Sequence, residues 1–364
     1  MRAELASLNA SNELAASPTC DATAGCLPAP CQNLTLKSMK LSIAIPTRNG
    51  TQFIDETLAS ILNQSRRPDE LIVSDDASSD GTVSAVEQFA KSAPFKVQVL
   101  AHSPDGITSN YLNALSQSTG DVVVFADQDD VWRPEKLHLI ERAFLSSPQI
   151  AIVSTDSEIV DTNSRTTGKT LRGNTAKSVM LARRVNSGAD LAHAIRGLPL
   201  LAHTLAIRSE CRAAALNKPA LPADWWFESW VSMVAMAVGK LALVPEAVTL
   251  YRQHIAQVAG APSARGVRRA ATADYRDAAA RYRYIVELIR DEMAPSLIDA
   301  EERVRRVRLM ESYIDFLDRR CQLLSLPRVT RLAGMTSIKM LSDYTRFASG
   351  AKSIARDCLR APEM

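Results

Sequence analysis

From Leu41 to Ser154 the chain alternates between two kinds of segment, and this alternation limits the fold more than any other feature. "LSIAI", "ELIVS", "KVQVLA", "DVVVF" and "IAIVS" are short apolar runs. Between them lie "FIDETLASIL", "TVSAVEQFAK", "SNYLNALSQS" and "PEKLHLIERAFLSS". In the first of these Phe53/Ile54, Thr57/Leu58 and Ile61/Leu62 recur at helical spacing, and in the second Val83, Val86 and Phe89 share one side. Pro134 stands near the first turn of the fourth, where its missing N–H costs little. Strands that are apolar throughout have no face for water. They predict a mostly parallel central sheet flanked by helices, an α/β fold. Ligands of such sheets bind outside the carboxyl ends of the strands. The polar clusters "PTRNG", "DDASSDGT" and "DQDD" fall at three of those ends.

"FADQDDVW" places Asp127, Asp129 and Asp130 within four positions, directly after an apolar strand. Clustered carboxylates repel, and burying them unpaired is costly. A positive partner is therefore expected: a metal ion, a pair of Arg or Lys, or else the water of a solvated turn. The D-x-D core Asp127-Gln128-Asp129 sets alternate side chains toward one point past the sheet edge. Oxygen donors suit Mg²⁺ or Mn²⁺, which take phosphate oxygens as further ligands.

The remaining sequence sets bounds. A net charge of +3 over 364 residues does not call for a nucleic-acid partner. The six Cys lack zinc-site spacing and read as reduced thiols of a cytoplasmic protein. No apolar run reaches the roughly 18 residues of a membrane span. The nearest attempt, "WVSMVAMAVGKLALV", is broken by Gly239 and Lys240 and reads as a buried helix followed by a strand. Residues 1–39, rich in Ala, Ser, Pro and Asn, read as a flexible leader without the apolar core of a signal peptide. "NSRTTGKTLRGNTAKS" reads as a mobile loop, and residues 163–178 have the composition of a lid. From residue 265 onward the pattern is helical, with 20 Lys+Arg against 14 Asp+Glu. There "EERVRRVRLMESYIDFLDRR" sets Val304, Val307, Leu309, Ile314 and Leu317 among charges. That pattern fits an amphipathic helix on an anionic membrane, and equally a helical cap or dimer contact. The domain reading is a leader over 1–39, a catalytic domain over 40–260 and a helical Arg-rich region over 261–364.

"LSIAIPTRNG", "IVSDDASSDGT", "FADQDDVW", "ADWW" and "YRQH", in that order, resemble the family-2 glycosyltransferases of the GT-A fold. The likeness covers about residues 40–260 and is strongest to the bacterial rhamnosyltransferase-like branch. It implies that Pro46 and Thr47 border the nucleotide base, with Asp76 on the base and Asp75 in support. Asn110 belongs to the helix whose start faces the nucleotide. Asp127 approaches the ribose, and Asp129 with His254 holds Mg²⁺ or Mn²⁺. Asp130 and Trp132 shape the wall beside the sugar, His203 and Thr204 contact the donor sugar or the acceptor, and Arg252 neutralises phosphate. Trp225 offers an aromatic face to the sugar. Asp224 is the catalytic base, with Glu228 in reserve. The chain departs from the family pattern at Arg48, where an aromatic residue is usual, and at Ala77, Ala202 and Ile255, where glycine is. The implied activity is inverting transfer of a rhamnose- or hexose-type sugar from a nucleotide-diphosphate donor. The acceptor is a saccharide or lipid-linked saccharide in bacterial surface-polysaccharide assembly. The setting is cytoplasmic, with peripheral contact at the inner face of the plasma membrane through the C-terminal helices. The alternative is a degenerate nucleotide-sugar-binding or scaffold protein, which Arg48, Ala202 and Ile255 would suit.

Overall fold

Four of the apolar runs pair side by side and in parallel. They are β1 (Leu41–Thr47), β2 (Glu70–Asp75), β3 (Lys96–Ala101) and β4 (Val122–Phe125), in the order β3-β2-β1-β4. The computed structural model describes residues 38–173, 200–217, 226–255, 272–290, 296–348 and 351–359, with Met180 and Gln257. The helices α1 (Ile54–Leu62), α2 (Thr82–Ala90), α3 (Ile107–Gln117) and α4 (Lys136–Ser146) connect or follow these strands, as their spacing predicts. Side-chain alternation sorts the sheet into two faces. Leu41, Ile43, Ile45, Leu71, Val73, Val122 and Val124 share one core with Ile54, Leu58, Val86, Leu137 and Phe144 of α1, α2 and α4. Ala44, Ile72, Val123 and Phe125 turn the other way, toward Tyr111, Leu112 and Leu115 of α3. Each such buried side chain contributes about 1.5–3 kcal/mol, so a one-residue slip in register would be heavily penalised.

The second half of the sheet is mixed. It comprises β5 (Val131–Trp132), β6 (Ile150–Val160), β7 (Thr166–Thr170), β8 (Leu205–Arg208) and β9 (Lys240–Arg252). The order continues β4-β8-β6-β9-β5, with β8 antiparallel to both neighbours and β6 parallel to β9. Strand β7 corrects the sequence reading of a mobile loop: Thr166–Thr170 forms a ladder with β6. Its three β-branched threonines favour extended backbone, and Ser164 and Gly168, at φ 61° and 70°, turn the chain. Residues 174–178 of that segment lie outside the described residues, as does the leader up to residue 37. "WVSMVAMAVGKLALV" divides as read. After the short α5 (Arg212–Leu216), α6 (Phe227–Val238) is buried along most of its length and Lys240 opens β9. Among the described residues no helix is long and apolar enough to cross a membrane.

Among the described residues five helices follow: α7 (Thr272–Arg290), α8 (Ala300–Leu324), α9 (Arg328–Met335), α10 (Ile338–Phe347) and α11 (Ala351–Leu359). Asp299 caps α8 by accepting the Glu302 N–H at 2.8 Å. Of the two readings of this stretch, the helical cap is the one its packing fits, although Val304 remains 49% exposed. Met310, Ile314, Phe316 and Leu317 of α8 are buried in a core that runs without a break from α3 and α6 into α7, α8 and α10. Even Arg306 is buried, its guanidinium donating to the carbonyl of Gly239 at 2.6 Å and pairing with Glu302 at 2.8 Å. Deeper in this region Asp357 accepts from Arg320 Nε at 2.5 Å and from the Tyr344 hydroxyl at 2.8 Å. Arg331 ties the carbonyls of Asp357 and Leu324 together, both at 3.0 Å.

Candidate active site at the carboxyl edge of the sheet

Because β1 to β4 are parallel, the loops after them emerge on one edge. Asp75 ends β2 and is fully engaged: Thr47 Oγ1 donates at 2.7 Å, Ser78 N at 2.8 Å and Ser78 Oγ at 2.6 Å. Pro46 is buried in the β1–β2 ladder opposite Ser74, and Thr47 is buried beside it. Asp76 meets His102 Nδ1 at 3.1 Å and Arg48 at 3.3 Å, while His102 Nε2 lies 3.2 Å from Ser109 Oγ. Asn110 Nδ2 donates to the Thr47 carbonyl at 3.1 Å. Its buried Oδ1 has no hydrogen-bond partner among the described residues, leaving an acceptor at the start of α3. The backbone turns sharply at Asn49 and Ala77, at φ 48° and 57°. Ala77 thus bears the strain that a glycine would avoid.

Gln128, the middle residue of D-x-D, joins two of these loops. Its Oε1 accepts the Arg48 N–H at 2.9 Å and its Nε2 donates to the Arg48 carbonyl at 3.0 Å. The fit is close: a Cβ on Gly50 would stand 2.3 Å from Gln128 Oε1. Thr57 Oγ1, on α1, holds the carbonyls of Gln128 and Asp130 from below, each at 2.9 Å.

The acidic loop is met by β9 from far along the chain. Val131 and Trp132 pair with Leu250 and Thr249, and this short ladder carries Arg252 and His254 onto the carboxylates. His254 Nε2 lies 2.8 Å from Asp129 Oδ2, joining the two residues read as a metal pair. Arg252 takes a different part from the phosphate contact read from sequence. It is 2% exposed, and its guanidinium donates to the carbonyls of Asp129 at 2.9 Å and Thr162 at 2.8 Å and to Glu56 at 2.6 Å. It lies over the Phe53 ring, and its backbone N–H reaches Asp130 Oδ1 at 3.0 Å. It is a strut under the acidic loop.

His203 likewise sits behind the acids instead of facing a sugar. It is buried, with Nδ1 3.3 Å from Asp127 Oδ2 and 3.5 Å from Asp130 Oδ2, and its ring stacks on Tyr251. Thr204 is buried beside it, bonded to the Leu201 carbonyl at 2.7 Å. Asp130 and Trp132 are also buried, so neither forms the expected wall. Lys136 lies beneath them, 3.8 Å over the Trp132 ring, donating to the His203 carbonyl at 2.7 Å and to Thr249 Oγ1 at 2.9 Å.

The charges do not balance. Burial and the neighbouring Asp127 raise the Asp129 carboxyl above its ordinary range. Burial, then Asp129 and Asp127, raise Asp130 much further. For Asp127 burial also opposes charge, but bonds from His203 and Tyr111 outweigh it and hold this carboxyl low. Lys136 is pushed down to about 7 by burial, despite the pull of Asp130 and Asp127. Asp127 is the most open of the three acids, its side chain 31% exposed. A divalent cation fits this donor set. Ligand atoms of Asp127, Asp130 and His203 lie within 4.8 Å of one another, and Asp129 and His254 form a second, more accessible pair.

The start of α6 closes the other side. Phe227 stacks on Tyr111 with ring centroids 4.4 Å apart, and the Tyr111 hydroxyl bonds Asp127. Glu228 then falls within the field of Asp127, and burial followed by that charge pushes its carboxyl up to about 7. Trp226 is 42% exposed at the helix entrance. Asp224 and Trp225 lie outside the described residues. Tyr111, Gln128, Lys136 and His102 are among the contributors that the sequence reading passed over. The last had a signal, since "AHSPDG" is a fourth polar strand end beside the three that were read.

Residues 42–196 match the model of glycosyl transferase family 2. An uncharacterized glycosyltransferase of Nostoc sp. is 30% identical over 128 residues, which is 35% of this chain and 39% of that protein. The Escherichia coli UDP-Glc:alpha-D-GlcNAc-diphosphoundecaprenol beta-1,3-glucosyltransferase is 30% identical over 125 residues, 34% of this chain and 48% of that one. The chain thus spans less than half the length of these curated relatives. The crystal structure of Staphylococcus aureus TarS 1–349 superposes with a TM-score of 0.50 at 18% identity, over 88% of this chain and 89% of that one. The strand order, the acidic loop at the sheet edge and these likenesses agree: the chain carries a glycosyl transferase family 2 domain over residues 42–196, built on the GT-A fold.

Proposed function

We propose that this chain transfers a rhamnose- or hexose-type sugar, with inversion, from a nucleotide-diphosphate donor to an acceptor hydroxyl in bacterial surface-polysaccharide assembly. One observation carries the reading: three clustered carboxylates at the edge of a parallel sheet, two of them with raised proton affinity, against two imidazoles and one buried lysine lowered to about 7. Such an edge gains most from a cation arriving with a diphosphate. Thr47, Pro46 and Asp76 border the base, with Asp75 and Asn110 fixing the loops around it. Asp127 accepts from the ribose. Asp129 and His254 would hold Mg²⁺ or Mn²⁺, which offsets the charge of the departing diphosphate. Asp224 takes the proton of the acceptor hydroxyl, and Trp225 packs against the sugar face. Glu228 supports this chemistry from the first turn of α6, where a carboxyl near neutrality can exchange protons. The printed name of the Escherichia coli relative, with its UDP-glucose donor and diphosphoundecaprenol-linked acceptor, supports a lipid-linked acceptor here.

Thermal stabilisation by uridine- and thymidine-diphosphate sugars, with and without Mn²⁺, tests the donor half. Asp129→Ala should remove the Mn²⁺-dependent part of the shift. Asp224→Asn should keep that shift and lower transfer by about 100-fold or more. Full activity in both variants would refute the site assignment. Loss of transfer in Glu228→Gln, with Asp224→Asn unaffected, would move the proton acceptor to Glu228.

A further inference from the structure

Helices α9 and α10 each bury one face and expose apolar side chains on the other. Met335 of α9 and Met340, Tyr344 and Phe347 of α10 belong to the core. On the outside Val329 is 84% exposed and Leu332 51%, one turn apart on α9. Ile338 is 88% exposed and Leu341 41%, one turn apart on α10. Four large apolar residues on two consecutive short helices are more than the scattered single exposures usual on a soluble surface.

The charge around them is one-sided. Arg328, Lys339, Arg346 and Lys352 are exposed. Residues 325–359 contain two acids, Asp343 and Asp357. Both are committed to other helices: Asp343 pairs with Arg319 of α8 at 2.7 Å, and buried Asp357 bonds Arg320 of α8 at 2.5 Å. The helices therefore show apolar side chains and cations to solvent, with their acids held by α8. A second copy of the chain seated symmetrically on this surface would bring its basic rim against an identical one, which is repulsive. An anionic bilayer satisfies both features at once. It takes the apolar side chains into the boundary of the acyl region and the cations among the headgroups.

We infer that the α9–α10 surface docks this protein on an anionic lipid bilayer, through Val329, Leu332, Ile338 and Leu341, with the exposed cations Arg328 and Lys339 next to Val329 and Ile338 in the chain. It is a different surface from the one that the charge pattern of α8 suggested, because α8 spends most of its apolar residues in the core, with Val304 left 49% exposed. The docking is independent of the transferase reading, and binding is measured without turnover.

Sedimentation of the full chain with vesicles is the test. The protein should bind phosphatidylcholine vesicles that contain phosphatidylglycerol, not pure phosphatidylcholine, and high salt should weaken that binding. Lys339→Gln should cost about fivefold in affinity, the worth of one basic charge near an anionic surface. The double variant Val329→Asp/Ile338→Asp should lose at least about tenfold while keeping the wild-type circular dichroism and melting temperature, since both side chains face solvent. Three results would overturn the inference: no preference for the anionic vesicles, wild-type binding by the double variant, or a dimer in light scattering that the double variant dissolves. The last would make this surface an interface between copies.

Discussion

Two buried carboxylate sites in this molecule use similar residues to opposite ends. In the C-terminal helices Asp357 is enclosed by Arg320 and the Tyr344 hydroxyl, and Arg320 rests over the rings of Tyr275 and Tyr344 at 4.2 and 5.2 Å. Charge meets charge there, and the pairing holds α8, α10 and α11 together. At the sheet edge three carboxylates share two imidazoles and a lysine lowered to about 7. The guanidinium that could have closed this site, Arg252, is turned to backbone carbonyls and Glu56 instead. A matched buried pair adds rigidity, whereas an unmatched cluster stores affinity for something that has yet to arrive.

This contrast can be broken by experiment. The largest effect should come from Asp357→Ala, which strands a buried guanidinium and should cost about 3–5 kcal/mol of stability by denaturant titration. In the site, Asp130→Asn should change stability by less than about 1 kcal/mol without metal, because it removes a repelling charge and keeps the acceptor for the Arg252 N–H. Equal losses from the two substitutions would erase the distinction. Glu228 sharpens it by pH. Its carboxyl rises from 4.5 unfolded to about 7 folded, so the native state binds the extra proton between those values. Stability should therefore be greatest below the unfolded value and fall as pH climbs toward the folded one. Glu228→Gln should flatten that slope, worth about 2–3 kcal/mol between about pH 4.5 and 7 in thermal melts. Gln128→Ala should raise the donor KM by about tenfold with a smaller change in kcat, since it loosens loops without removing a reacting group. The smallest effect is Ala77→Gly, which relieves a left-handed alanine and should gain under about 1 kcal/mol.

What the sequence revealed followed the range of the interactions. The parallel half of the sheet was legible because each strand and helix declares itself within ten residues, and the edge followed from topology. The Asp129–His254 contact joins residues 125 positions apart, and only motif order pointed to it. Periodicity says nothing of the two-residue β5–β9 ladder that makes the contact. Arg252 shows the limit of residue type: a guanidinium near a phosphate site reads as a ligand until its burial is known. The threonines of β7 and the charges of α8 misled for one reason. Polar composition suggested an unpaired chain, but β6 supplied backbone partners for β7, and groups outside α8 supplied partners for Arg306 and Arg319. That His203 is buried against Asp127 and Asp130 is a matter of tertiary packing, which no one-dimensional pattern could settle.

The amide of Gln128 has a wider consequence. Because it grips both backbone atoms of Arg48, the rim that would select a nucleobase and the rim that would bind a cation are one rigid piece. On the proposed function, neither specificity would drift alone in evolution. A lineage that changes its preferred nucleotide through the loop after β1 would retune its metal affinity in the same step, and compensating changes should cluster at positions 48, 50 and 128.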